Sequence, residues 1–352
     1  MTLDELDTPA PVVELRVVED NLARMQAYCD RHGLKLRPHI KTHKIVALAR
    51  RQIELGAAGI TCQKLGEAEV MVNGGIRDIL ISYPLVGWMK AKRLASLAGR
   101  ATVTAVADSR EGVATLAEAA HSAQARIGVL VEFDSGANRT GVRTPEEVLP
   151  LAQAVRREPF LEFRGLMTYP LSELTAPFVR AARELLAREG IGCDVVSGGG
   201  TPGAYSSHLV EGLTELRVGT YIYNDRTIIG LTSETADTCA FHVLATVVSR
   251  PAADRAIIDA GSKTLSSDLV PPRIGTGHGL IIGYPDASIE RLNEEHGMVD
   301  LSKSARKPVI GERLAIIPNH VCVVSNLHDE VYFTRDGSGY EPWKIDARGK
   351  MT

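Results

Sequence analysis

Short apolar runs rich in β-branched residues alternate with stretches of helical periodicity over the first two thirds of the chain. In the intervening stretches Ala, Leu and Val repeat at three- and four-residue spacing, the pattern of an amphipathic helix. Strand alternating with helix indicates parallel βαβ units. The strand-like runs are residues 36–39, 59–62, 78–82, 102–107, 127–133, 163–168, 194–197 and 216–223. Eight runs match a (β/α)8 TIM-like barrel, which we favour over an open doubly wound sheet.

The helices between these strands are predicted at residues 67–73, 113–123, 145–157 and 176–188, with a further helix at 18–32 before the first strand. After about residue 225 the pattern changes, and Gly and Pro punctuation replaces the helices. Strand-like segments follow at 243–249, 256–259, 279–283, 313–317, 321–325 and 330–334.

The chain is therefore predicted to hold two domains. Residues 1–235 form the α/β barrel, and residues 236–352 form a C-terminal all-β domain. Residues 11–15 are a candidate extra strand. The first ~15 residues are accordingly candidates for packing with the second domain rather than with the barrel.

Composition restricts the function classes. The 352 residues include 40 Lys+Arg and 43 Asp+Glu, and 44% are hydrophobic, as in ordinary globular proteins. The formal net charge of −3 argues against a nucleic-acid or membrane-surface protein. No apolar run approaches the roughly 18 residues of a membrane helix. Five scattered cysteines are too few for a disulfide framework, so we expect reduced thiols in a cytoplasmic protein.

The densest polar cluster on a predicted strand is Arg-Pro-His-Ile-Lys-Thr-His-Lys at residues 37–44. The carboxyl ends of barrel strands face the active-site mouth, so Lys41 is well placed to act as a nucleophile. A lysine forms a Schiff base only when partly deprotonated, and the neighbouring Arg37, His39, His43 and Lys44 are cations that could lower its pKa. The alternative is a solvated strand end.

A glycine-rich segment, Ser-Gly-Gly-Gly-Thr-Pro-Gly, occupies residues 197–203 after the seventh strand. Consecutive glycines expose backbone N–H groups in a concave turn, which suits a phosphate. Barrels often hold phosphate after strands seven and eight. A plain tight turn is the alternative.

His320 and Cys322 stand two residues apart in the β domain. On a strand, residues i and i+2 point to the same face, so both side chains could reach one cation. Imidazole with thiolate suits Zn2+ or a similar metal, and water or substrate would complete the coordination. An ordinary half-buried strand is the alternative.

These three elements, in this order, resemble the pyridoxal-phosphate enzymes of the alanine-racemase-like barrel fold, and specifically the D-threonine aldolase and D-serine dehydratase branch. The resemblance covers nearly the whole chain. It implies pyridoxal 5'-phosphate bound covalently to Lys41 of Arg-Pro-His-x-Lys, and a divalent metal (Mn2+, Zn2+ or Mg2+) on His320 and Cys322. The cofactor-binding residues it implies are Lys41, His39, Arg139, Tyr169, Gly199, Gly200, Thr201, Arg217, Gly219 and Thr220.

Two positions depart from the branch. Arg217 stands where the branch often has an uncharged or weakly charged residue, and a cation there would keep the pyridine nitrogen unprotonated and weaken the electron sink. Some aldolases of the branch carry Tyr-His-Gly after strand six, whereas this chain has Tyr-Pro-Leu at 169–171. The identity of the group that takes the proton from the substrate hydroxyl is therefore open.

The predicted function is a lyase that cleaves D-β-hydroxy-α-amino acids of the D-threonine type to glycine and an aldehyde. The Asn-Leu-His-Asp segment at 326–329 is similar to the aldolases of the branch. One alternative is β-elimination of the D-serine or D-threo-3-hydroxyaspartate dehydratase type. A more distant one is a non-catalytic pyridoxal-phosphate carrier, against which the second domain counts. The resemblance also implies a homodimer with the active site at the interface, and a small D-amino acid as substrate.

Overall fold

A computed structural model describes all 352 residues and divides them into two compact units. The barrel unit consists of Arg24–Lys41, Val46–Gly219 and Lys350–Thr352, and the sheet unit consists of Met1–Ala23, Thr42–Ile45 and Thr220–Gly349. The division after Gly219 lies earlier than the sequence-based boundary at 235. The short segment immediately after Lys41 is part of the sheet unit.

A 3-10 helix at Leu3–Glu5 precedes the first strand, β1 (Ala10–Glu14), which is followed directly by α1 (Leu15–Arg31). Eight parallel strands then form the barrel unit in the order β2-β9-β8-β7-β6-β5-β4-β3. Their bounds are β2 (Lys35–Leu36), β3 (Ile60–Cys62), β4 (Asp78–Ile81), β5 (Thr102–Ala107), β6 (Ile127–Glu132), β7 (Leu161–Met167), β8 (Val195–Gly198) and β9 (Glu215–Leu216). A parallel bridge between His39 and Thr61 joins the two ends of this sheet. The predicted eight-stranded barrel is confirmed, and the open-sheet alternative is excluded.

The barrel helices are α2 (Val46–Glu54), α3 (Leu65–Asn73), α4 (Trp88–Ala98), α5 (Arg110–Ala123), α6 (Pro145–Arg157) and α7 (Thr175–Arg188). The bounds of α6 agree with the prediction because the sequence marks both ends. Thr144 and Glu147 form a capping box, Pro145 takes the first turn, and Arg156 and Arg157 lie in the last turn. No helix of the chain is long and apolar enough to cross a membrane.

The centre of the barrel is filled by side chains from neighbouring strands. Leu80, Val106, Leu130 and Met167 form one buried cluster, each at most 1% exposed. Parallel strands are covered on both faces, which explains why they appear in the sequence as continuous apolar runs. Truncating Leu130 to Ala would cost about 2–5 kcal/mol of stability, because the packed surroundings cannot fill the void.

The sheet unit is built around a nine-stranded sheet in which β1 takes part. Its remaining elements are α8 (Arg226–Leu231), β10 (Phe241–Ala252), β11 (Arg255–Ile258), α9 (Ser262–Leu265), β12 (Leu280–Ile281), β13 (Ser288–Leu292), β14 (Gly297–Asp300), β15 (Arg313–Ile317), α10 (Val321–Leu327), β16 (Glu330–Thr334) and β17 (Glu341–Lys344). β1 pairs antiparallel with β10 and parallel with β16. Residues 10–14 are thus a strand of the C-terminal sheet.

The predicted strand at 321–325 is wrong, and the predicted strand at 216–223 is wrong in part. Residues 321–325 form helix α10, because Val321, Val324 and Ser325 are buried at helical spacing and the apolar run is too short for its period to be read from sequence. Of the run 216–223 only Leu216 lies in a strand, β9 (Glu215–Leu216), since the chain turns into a 3-10 helix at Thr220–Ile222.

Candidate active site

The cluster after β2 differs electrostatically from the sequence-based expectation. Arg37 is buried between two carboxylates, with Nε 2.7 Å from Glu215 and Nη1 2.5 Å from Asp78. These ion pairs neutralise its charge. His39 accepts the backbone N–H of Lys41 at Nδ1 (3.3 Å), and its Nε2 lies 2.9 Å from Gln63 Oε1.

An imidazole that accepts at Nδ1 and donates at Nε2 is neutral. His39 therefore orients the Lys41 backbone and does not supply a positive charge. Lys41 itself is half-buried, and no hydrogen bond or ion pair engages its amine. Of the four cations expected around Lys41, Arg37 is paired with carboxylates and His39 is neutral, which corrects in part the cationic surroundings expected from the sequence.

The glycine segment after β8 turns sharply and opens a helix. Gly199 has φ +90°, and a Cβ built there would lie 2.6 Å from Leu216 Cδ1. A Cβ on Gly200 would lie 2.8 Å from the ring of Tyr169. Gly200 caps the 3-10 helix Thr201–Leu209, and no side chain caps its first turn. The uncapped backbone N–H groups of this turn can therefore donate hydrogen bonds to an anion.

Arg139 lies on a hydrogen-bonded loop beside Tyr169. The Asp134 carboxylate accepts the backbone N–H groups of Gly136, Ala137 and Asn138 at 2.8–3.1 Å. This turn fixes the loop backbone, and the Arg139 guanidinium stands 5.2 Å from the Tyr169 ring centroid. The structure therefore brings together Arg139, Tyr169 and Gly200, which the sequence had placed at the same mouth only through their order along the strands.

Arg217 is buried just beyond β9. Its Nη2 donates to the Thr168 carbonyl at 2.6 Å, and its Nε has no partner. Burial lowers the pKa of Arg217 to about 10, although Glu215 and Glu132 oppose the shift. The guanidinium therefore stays protonated at neutral pH.

Glu132 presents a second buried atom without a partner. Its Oε1 accepts the Thr140 hydroxyl at 2.7 Å, whereas Oε2 has none. Burial raises the pKa of this carboxyl, opposed by the hydrogen bond from Thr140. Unpaired buried polar atoms cost about 1–3 kcal/mol each, and they cluster where a ligand completes the bonding.

Gly219 and Thr220 continue the chain out of the barrel unit. Gly219 is buried. Thr220 begins a 3-10 helix of the sheet unit, where its hydroxyl lies 3.7 Å from Cys322 Sγ. The structure thus places Thr220 beside the candidate metal pair, a neighbour that the sequence did not indicate.

His320 and Cys322 come together at the start of α10. His320 is the extended N-cap residue (φ −143°, ψ 95°), and Cys322 lies in the first turn. The expected strand geometry is therefore wrong, yet imidazole and thiol are hydrogen-bonded. That bond to Cys322 raises the pKa of His320 to about 9, against the effect of burial, and Asp268 adds to the increase.

Three neighbours of this pair were not found from the sequence. Asp268 Oδ2 lies 2.9 Å from His320 Nδ1, and the Thr42 hydroxyl lies 3.0 Å from Cys322 Sγ. Asp225 accepts the Val321 backbone N–H at 3.1 Å. Only Asp225 carried a sequence signal, as an Asp directly before a helix. No group of three or more His, Cys, Asp or Glu residues is arranged to hold a metal, so the pair offers two ligands.

Comparison with known proteins gives matches over almost the whole chain. The family model described as alanine racemase, N-terminal domain, matches residues 13–227, and the putative serine dehydratase domain matches residues 240–334. The chain is 40% identical over 365 residues to the D-threonine aldolase of Arthrobacter sp., covering 99% of this chain and 94% of that protein. It is 31% identical to the D-threo-3-hydroxyaspartate dehydratase of Delftia sp., covering 91% and 92%.

Solved structures agree with these matches. The D-threonine aldolase from Filomicrobium marinum has a TM-score of 0.88 at 34% identity, covering 99% of this chain and 98% of that one. D-threo-3-hydroxyaspartate dehydratase has been solved as a cysteine-to-alanine variant in a metal-free form (TM-score 0.87, 29% identity, coverage 98% and 99%). A histidine-to-alanine variant of it is also known (TM-score 0.88, 28% identity, coverage 98% and 96%). The two substituted residues of that enzyme are separated by one residue.

Proposed function

The chain belongs to the alanine-racemase-type pyridoxal-phosphate enzymes, in the branch of the D-threonine aldolases and D-serine dehydratases, and on that premise we propose that it is a D-threonine-type aldolase. It would cleave D-β-hydroxy-α-amino acids to glycine and an aldehyde. The observation that carries this proposal is the 40% identity with the Arthrobacter aldolase over 99% of the chain. The D configuration comes from that relative.

The residues of the barrel unit fit pyridoxal 5'-phosphate, the cofactor of this family. Gly199 and Gly200 leave room that a Cβ would fill, the first turn of the helix at Thr201 is uncapped, and Arg217 Nε is buried without a partner. These features suit phosphate at the turn and the pyridine ring beside Arg217. When bound, the cofactor accepts the electron pair released at the substrate α-carbon.

In this proposal Lys41 would hold the cofactor covalently, and His39 would fix the backbone of that lysine. Arg139 and Tyr169 would line the site of the ring, and the backbone amides of Gly219 and Thr220 would contribute to the phosphate site. Arg217 is positively charged at neutral pH, so it disfavours protonation of the pyridine nitrogen.

We further propose that His320 and Cys322 hold a divalent metal. Their one-residue separation equals that of the cysteine and histidine substituted in the dehydratase whose cysteine variant is metal-free. An imidazole and a thiolate favour Zn2+, and suit Mn2+ less and Mg2+ least, because thiolate is a soft ligand. A bound cation there would acidify the substrate hydroxyl.

Cleavage also requires a proton acceptor for that hydroxyl. Pro170 has no titratable group, so the residue after Tyr169 does not take the proton in this chain.

The second candidate is β-elimination to a keto acid and ammonia, favoured by the 31% identity with the Delftia dehydratase. The test is a product assay of the protein with pyridoxal phosphate and Mn2+ or Zn2+ on D-threonine and D-serine. Acetaldehyde with glycine from D-threonine supports the aldolase. Keto acid with ammonia from either substrate contradicts it and supports the dehydratase.

The remaining parts of the proposal concern the non-catalytic carrier alternative, the oligomeric state and the cellular location. A carrier without activity would need no metal, so stoichiometric metal in the purified protein contradicts the carrier. The active site is proposed to lie in a homodimer interface, which sedimentation at micromolar concentration tests. None of the five cysteines forms a disulfide. The cytoplasmic location is a proposal that fractionation of the source cells would check.

A further inference from the structure

We propose that Asp268 is the positioning residue for His320, an inference that rests on the metal site of the proposed function. Asp268 Oδ2 lies 2.9 Å from His320 Nδ1, and the imidazole is also hydrogen-bonded with Cys322. The carboxylate holds the ring with Nδ1 as the donor, so that Nε2 and Cys322 Sγ are presented together to one divalent cation.

The chemical reason is the asymmetry of neutral imidazole. One ring nitrogen carries hydrogen and the other carries the lone pair that a metal requires. A carboxylate can only accept, so its position beside Nδ1 keeps the hydrogen on that atom, and a metal that displaces the other ring proton would take the lone pair of Nε2. Without Asp268 the His320 ring could adopt the other tautomer or rotate, and part of the population would present no ligand.

Asp268 is itself anchored to the residue before His320. Asn319 is 1% exposed, and its Nδ2 donates to the Asp268 carbonyl at 2.9 Å and to the Gly277 carbonyl at 2.8 Å. Arg226 in turn donates to Asn319 Oδ1 at 3.1 Å. The backbone of Asp268 and the start of α10 are therefore tied by one buried amide. This anchoring distinguishes the Asp268–His320 pair from a mobile surface ion pair.

Asp268 acts through His320 and not as a third ligand. Its carboxylate contacts the Nδ1 edge of the ring, so a cation shared with Cys322 would bind His320 through Nε2. The absence of any three-residue ligand group in the structure agrees with this assignment.

The test measures Co2+ affinity by optical titration. Holoenzyme with bound pyridoxal phosphate is stripped of metal with a chelator, and Co2+ is added. The thiolate-to-cobalt charge-transfer band reports Cys322, and the ligand-field bands report coordination. Asp268→Ala is expected to bind Co2+ about 10–100-fold more weakly while retaining the thiolate band. Asp268→Asn, whose amide oxygen still accepts a hydrogen bond from Nδ1, is expected to lose less Co2+ affinity than Asp268→Ala.

The matched control is Asp286→Asn, an exposed carboxylate of the same unit, which should leave the affinity within twofold of wild type. Circular dichroism checks that each variant is folded. Wild-type affinity in Asp268→Ala would overturn the inference, and so would a loss as complete as in His320→Ala, which would make Asp268 a ligand. If wild type shows no thiolate band, or if Cys322→Ala retains it, the proposed metal site fails and the inference fails with it.

Discussion

The Asp225 carboxylate links two helices that are distant in sequence, because its Oδ1 accepts the Ile228 N–H at 2.9 Å while its Oδ2 accepts the Val321 N–H at 3.1 Å. It therefore caps α8 and α10 together. Residues His320 and Cys322 lie at the start of α10, so this buried carboxylate fixes the helix that carries the proposed metal ligands.

Asp225→Ala should destabilise the protein, since two buried backbone N–H groups lose their acceptor. The loss of an N-cap costs about 0.5–2 kcal/mol, and an unpaired buried donor costs about 1–3 kcal/mol. We therefore expect the free energy of unfolding, measured in urea, to fall by about 2–4 kcal/mol. The control is Asp237→Ala, an exposed residue of the same unit, expected within about 0.5 kcal/mol of wild type. Equal losses of stability in the two variants would show that the capping of α8 and α10 by Asp225 is unimportant.

Lys41→Ala should abolish the visible absorbance of the bound cofactor, because no other residue would bond to it covalently. The measurement is the spectrum of protein reconstituted with pyridoxal phosphate and passed through a desalting column. Lys35→Ala removes an exposed lysine of β2 and should keep the spectrum. Survival of the absorbance in Lys41→Ala would make the lysine assignment wrong.

Gly199→Ala should weaken pyridoxal-phosphate binding about tenfold or more. The backbone there has φ +90°, and the added Cβ would meet Leu216 Cδ1 at 2.6 Å, so the turn or the buried Leu216 side chain must move. Gly203→Ala is the matched control, because nothing lies within 4 Å of its built Cβ and its backbone N–H is retained. Affinity is measured by equilibrium ultrafiltration. Equal losses of pyridoxal-phosphate affinity in both variants would argue against a phosphate site at this turn.

His242 should make the protein sensitive to acid. Burial lowers the pKa of His242 to about 4, whereas an unfolded histidine titrates near pH 6.5. The unfolded state therefore binds more protons between these values, and stability falls as the pH decreases from about 6.5 to 4. The loss should reach about 1–3 kcal/mol.

The measurement for His242 is urea unfolding at pH 7 and pH 5. His242→Gln should show a smaller loss between the two pH values than wild type, whatever its stability at pH 7. His296→Gln changes an exposed histidine of the same unit and should behave as wild type. An unchanged acid sensitivity in His242→Gln would place the titrating group elsewhere.

Local sequence pattern determined the elements of the barrel. The β-branched runs that became β5 and β6 lie in strands covered on both faces, so their apolar character is continuous and visible. Helix α6 was predictable to its ends, because Thr144, Pro145 and Glu147 mark its start in the sequence itself. The order of Lys41, the glycine turn and the His320–Cys322 pair indicated the family for the same reason: each motif is contiguous or nearly so.

Tertiary structure decided what the polar groups do. Helix α10 was missed because its apolar run is short, and its helical state depends on a cap from Asp225, about a hundred residues earlier in the chain. Asp268 carries no local signal at all, since only the fold brings it to His320. Likewise, the sequence showed Arg37 and His39 as potential cations beside Lys41, whereas the fold pairs one with Glu215 and Asp78 and keeps the other neutral. The reason is physical: periodicity and capping act over a few neighbouring residues, whereas charge and hydrogen bonding depend on partners that only the folded chain supplies.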